Sequence, residues 1–124
     1  MKRLFLSVSL LLFSNALVFA QGGNKVDAAG VEFWTNFKTA VVANDREAVA
    51  SMTRLPFLFQ GRELNKQAFI QKFGVLFGAR VKRCFEKAKL VREGEGFEVF
   101  CGQQIFLFDK VNGAYKFTEI GAND

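Results

Sequence analysis

The sequence predicts an α+β fold, with helices first and an antiparallel sheet after them. Three observations carry that expectation. Apolar residues in the N-terminal half recur at three- and four-residue steps, the spacing of one helix face. Those in the C-terminal third alternate with polar residues, or form short apolar blocks between glycine-bearing turns, which is the pattern of consecutive strands. Between two such blocks lies Asn112-Gly113, the strongest short hairpin signal in the chain.

The first segment reads as an address. Lys2 and Arg3 give a positive start, and Leu4 to Phe19 an apolar run broken by Ser7, Ser9, Ser14 and Asn15. Val18 and Ala20 place modest and small side chains just ahead of Gln21. That order is a secretory signal, residues 1–20, cleaved between Ala20 and Gln21. A membrane anchor is the competing reading, but a spanning helix needs about 20 consecutive apolar residues, and this run is shorter and interrupted. No cysteine lies near Ala20 to carry a lipid. An exported chain, periplasmic or secreted, is expected, with no membrane contact after cleavage. It keeps about 104 residues, enough for one domain with a real core.

Residues 21–29 read as a flexible polar leader, and 30–120 as the single domain. A first helix is expected from Ala28 to Ala43, showing Phe33, Trp34, Phe37, Val41 and Val42 on one side. Asn44, with Glu47 three residues on, caps a short second helix carrying Val49 and Met52. Pro56 opens a short strand, Phe57-Leu58-Phe59, which turns at Gly61. Asn65 caps a third helix over Lys66 to Phe77, with Phe69, Ile70 and Phe73 in its stripe and Gly78 at its end. Val81 to Arg92 is read as the next strand and Glu93 to Gly96 as a turn. Phe97, Val99 and Cys101 alternate along a further strand. Gln104 to Asp109 is apolar on both faces, as a central strand covered twice would be. Ala114 to Ile120 closes the meander.

Composition bounds the chemistry. There is no histidine, which removes the commonest general base and the commonest zinc ligand together. No metal or other cofactor is implied. Losing Lys2 and Arg3 with the signal lowers the formal charge from +5 to +3, and no basic run exceeds Lys82-Arg83, so nucleic acid is not an expected partner. Cys84 and Cys101 pair in an oxidising compartment or stay as two buried thiols; the spacing is not that of a redox-active CxxC. Thirteen phenylalanines and Trp34 follow Ala20. Either they fill the core, or Trp34, Phe37, Phe57, Phe59, Phe69 and Phe73 line an apolar ligand pocket, with Tyr115 or Gln103 orienting what binds.

The order of elements resembles the nuclear-transport-factor-two-like superfamily. The resemblance rests on Phe33-Trp34-Thr35-Asn36-Phe37-Lys38, on Asn44-Asp45-Arg46-Glu47-Ala48-Val49-Ala50, on Leu55-Pro56-Phe57 and on Gly113-Ala114-Tyr115-Lys116-Phe117. Small exported bacterial members carry similar phrases. What it implies is a cone-shaped, cystatin-like α+β roll: a curved antiparallel sheet of about four to six strands wrapped around three N-terminal helices, with a pocket between them. It also implies a homodimer through the outer face of the sheet, which would cover the second apolar face of Ile105 to Phe108. A cystatin-like sheet on one helix is the alternative fold, and three separate helical segments count against it.

Three functions fit this reading. One is non-catalytic binding of a small apolar ligand or a protein partner. Another is an isomerase-, dehydratase- or cyclase-like enzyme, as in that superfamily, with Asp45, Glu98 or Asp109 as the pocket carboxylate. The aspartate–histidine pairing of some such enzymes has no counterpart in a chain without histidine. The third is an interaction subunit docking through its sheet, and fold alone does not choose among them.

Overall fold

The structure, a computed structural model, describes residues 25–123. The expected secretory signal, its cleavage point at Ala20 and Gln21, and residues 21–24 lie outside them.

Helix α1 (Ala28–Val42) begins where Asp27 caps it, the carboxylate accepting from the Gly30 N–H at 2.7 Å. Its buried side carries Trp34, Phe37, Ala40 and Val41. Helix α2 (Arg46–Ser51) is capped by Asp45, which accepts from the Ala48 N–H at 3.2 Å. Asn44, expected in that role, instead reverses the chain with φ 57° and accepts from Lys82 Nζ. Asparagine suits both tasks, because its short polar side chain tolerates the left-handed region.

Strands β1 (Phe57–Phe59) and β2 (Arg62–Leu64) form a separate antiparallel hairpin. Asn65 caps helix α3 (Lys66–Gln71) as expected, accepting from the Ala68 N–H at 2.9 Å. The helix expected through Phe77 breaks at Lys72 and resumes as α4 (Phe73–Leu76). Gly74 is the weakest helix former in that stretch. The break leaves Phe69, Phe73 and Phe77 all fully buried. Gly78 does not end a helix in the left-handed region but starts the next from extended backbone, φ −72°.

That next element corrects the sequence reading. Val81 to Arg92 is not a strand: α5 (Ala79–Lys87) occupies most of it, and β3 spans only Val91–Glu93. Val81 and Phe85, four residues apart, are its buried positions, with Arg83, Glu86 and Lys87 outside. Helical periodicity holds through Lys87, and the β-leaning run becomes strand only from Val91.

Strands β3, β4 (Gly96–Cys101), β5 (Gln104–Val111) and β6 (Ala114–Ala122) follow as an antiparallel meander in sequence order. Asn112 and Gly113 turn β5 into β6 with φ 52° and 82°, the two positive values a tight hairpin of this twist requires. The outer edge of β6 takes Thr53 as a parallel bridge: Phe117 donates to the Met52 carbonyl at 2.8 Å and Arg54 to that of Phe117 at 2.9 Å. Among the described residues β3 and β6 do not pair, so the sheet is open rather than a closed barrel.

One face of this sheet builds the core. Phe97, Val99, Phe106, Phe108 and Phe117 point toward the helices and are buried. Phe97 stacks on Phe108 at 4.7 Å between ring centroids, and Phe85 meets Phe106 at 4.9 Å. The sulfurs of Cys84 and Cys101 stand 2.03 Å apart, disulfide distance, joining α5 to the end of β4. The α+β class and helix-then-sheet order agree with the sequence reading.

Candidate functional site

Five of the seven residues expected to line a pocket, Trp34, Phe37, Phe57, Phe69 and Phe73, lie in the core with their rings against one another. Trp34 packs edge-on to Phe85 at 4.9 Å, Phe57 onto Phe117 at 4.9 Å, and Phe73 onto Phe77 at 5.0 Å. Interiors pack to the density of organic crystals, so rings at these separations leave little room between them. Phe59 borders a surface cleft with Gln60, Arg62 and Lys72. Gln103 sits exposed in the β4–β5 turn, at the opposite end of β5 from Tyr115; the two are not brought together.

Tyr115 anchors a polar corner instead. Its hydroxyl donates to Asp27 Oδ1 at 2.8 Å, and Lys110 Nζ lies 3.7 Å from the other carboxylate oxygen. Lys110 also stands over the tyrosine ring, 5.3 Å from its centroid. The Gly30 N–H and the Tyr115 hydroxyl hold the Asp27 carboxyl below its usual range. Partial burial, then the adjoining carboxylate, push the Tyr115 phenol up to about 12. Gly30 permits the arrangement, since a side chain there would meet Val26 and lie 3.1 Å from the tyrosine ring. Beside the corner lies a cleft of about 240 Å³ whose walls include Arg92, Glu95 and Lys110. Asp27 and Tyr115 already satisfy each other, so the corner straps the start of α1 to the β5–β6 hairpin. Sequence reasoning missed Asp27, although an aspartate just before a helix signals a cap.

The other carboxylates considered for catalysis are dispersed. Asp45 is spent capping α2, and Asp109 accepts from the Lys110 N–H at 2.8 Å. Glu98 is half-buried, and desolvation, then the charge of Glu93, raises its pKa. Among the described residues no three of His, Cys, Asp and Glu gather where they could hold a metal ion. No described helix is long and apolar enough to cross a membrane.

The remaining candidate is the sheet face turned away from the helices. Side chains alternate along each strand, so residues paired with the outward positions share that face. One row runs Val91, Glu98, Leu107, Glu119, and the next runs Phe100, Ile105, Gly121. Phe100 is 40% exposed and Val91 44%. Ile105 and Leu107 are half-buried, and Leu107 leans within 3.4 Å of where a Gly121 side chain would begin. This is the second apolar face expected for Gln104 to Asp109.

No family model matches the chain, and neither a curated protein nor a solved structure is significantly similar to it.

Proposed function

We propose that the chain is an exported, non-catalytic binding domain that docks a protein partner through the outer face of its four-stranded sheet. The observation that carries this reading is the cluster of Phe100, Ile105 and Leu107 on adjoining strands, with Val91 diagonal to Phe100 across β3–β4, turned away from the helices. An apolar cluster of this kind on a surface marks a contact site more often than a lone exposed residue does. Export is the setting in which Cys84 and Cys101, at bonding distance, persist as a disulfide. The order of helices, small hairpin and meander supports a place in the nuclear-transport-factor-two-like superfamily. Trp34 packs on Phe37, Phe57 on Phe69 and Phe73 on Phe77, which favours the sheet face over an internal pocket.

A photo-crosslinking residue placed at Phe100, in cells that export the chain, tests the proposal. The same residue at Val75, 65% exposed on α4, serves as the control. A discrete adduct from position 100, absent from position 75 and lost when Leu107→Ser is added, is expected. Adducts of equal yield from both positions, or none from position 100, overturn it.

A further inference from the structure

Resting on that docking face, we propose that its partner presents an apolar centre rimmed by lysine or arginine. Leu107 is flanked across the sheet by Glu98 on one side and Glu119 on the other, and Glu93 lies beyond Val91 on the same face. Neither of those two rows contains a lysine or arginine; the row that Glu93 begins ends at Lys116, whose Nζ donates to the Ser51 carbonyl at 2.7 Å. Among the described residues no basic side chain closes an ion pair with these three glutamates. The chain without its expected signal is still basic, at +3 once Lys2 and Arg3 are removed from +5, so an acidic rim on this one face runs against its composition. Opposed charges around an apolar centre steer encounter and set register, which is what such a rim supplies.

The carboxylates also argue against the face closing on a second copy of itself. A twofold pairing brings glutamate rims together with no cation in either row to separate them, and like charges directly opposed destabilise. Burial and Glu93 already disfavour the charged form of Glu98 in the free domain. A cation brought beside it relieves that cost, whereas another carboxylate increases it. The surface thus discriminates by sign as well as by apolar contact.

Two probes with one tail and opposite heads separate the contributions: octylguanidinium and octanoate, titrated into the purified isotope-labelled chain. Amide signals of Phe100, Ile105, Leu107 and Glu98 are followed by NMR, and self-association by sedimentation. Octylguanidinium should shift those signals saturably, about tenfold more tightly than octanoate at low salt. The preference should fall below about threefold near 1 M salt, where the screening length shrinks to about 3 Å. Glu93→Gln, Glu98→Gln and Glu119→Gln together should remove the preference and leave the tail's affinity; Phe100→Ser with Leu107→Ser should remove binding of both probes. Equal affinity for the two heads overturns the charge inference while leaving the docking face standing. Binding of neither probe at this face overturns both. A dimer broken by Phe100→Ser makes a second copy the occupant and overturns the inference.

Discussion

Replacing Phe77 by alanine tests whether the helix–sheet layer is filled or holds room for a ligand. Phe77 is fully buried, and six other rings, those of Phe37, Phe69, Phe73, Phe85, Phe106 and Phe117, have centroids within 6.3 Å of its own. Truncating a buried phenylalanine costs about 3–5 kcal/mol, transfer and cavity together. Domains of this size have only about 5–15 kcal/mol in all. At about 4–8 °C per kcal/mol, the melting midpoint should drop by roughly 12–40 °C. Phe77→Leu, which keeps most of the volume, should cost about 1–2 kcal/mol and remain foldable if the alanine variant does not. Thermal and urea denaturation followed by Trp34 emission measure both. The alanine variant opens an apolar hole that should take benzene, and Trp34, next to Phe37 and Phe85, reports it. The unsubstituted chain should show no saturable response. A loss below about 1 kcal/mol, or benzene binding by the unsubstituted chain as tight as by the variant, refutes the filled core.

Other expectations follow from the links and the titrating groups. The loop between Cys84 and Cys101, 17 residues apart, should add about 3 kcal/mol in the chain-entropy model; an unchanged urea midpoint for the Cys84→Ser, Cys101→Ser double variant would contradict it. Tyr115 is the chain's only tyrosine, so phenolate absorbance reports it alone: the midpoint should lie near 12, and Asp27→Asn should lower it toward, though not to, 10. Because the folded value is the higher one, the stability Tyr115 contributes is complete below pH 10 and is lost as pH rises through about 12. Glu98 is also raised, so its contribution is present below the ordinary glutamate value of 4.5 and lost as pH climbs through the folded value. Glu98→Gln should therefore raise the urea midpoint at pH 7 and leave it unchanged at pH 3; the same gain at both would rule out the charge as its source.

What the sequence disclosed depended on the range of the interaction. Helix α1, the Asn65 cap and the Asn112-Gly113 hairpin are local devices, and each falls where its residues point. The segment from Val81 to Arg92 is ambiguous in local pattern: Val81, Phe85 and Ala88 fit a helical stripe while Leu90-Val91-Arg92 alternates like a strand, and the chain uses both within one stretch. The Asp27–Tyr115 link spans 88 residues and leaves no trace in local pattern. An excess of phenylalanine reads the same whether the rings fill a core or line a hollow, since volume is a property of packing and not of composition. The two-faced character of β5 was visible, but which residues share its outer face required the register.

That register gives Phe100 its weight. Among the described residues twelve of the thirteen phenylalanines are buried or half-buried, and Phe100 alone is exposed. The twelve are explained by the core: each ring is withdrawn from water by its neighbours. Phe100 belongs to the same strand as Phe97 and Val99 but faces the other way, beside Ile105 and across from the helices. A strand residue there needs β propensity and solubility, which threonine supplies at less cost in exposed apolar area. Phenylalanine at this position leaves apolar area in water, and Ile105 and Leu107 beside it extend the area a cover would withdraw. The glutamates around them keep the uncovered face soluble, and they also restrict which surface can approach.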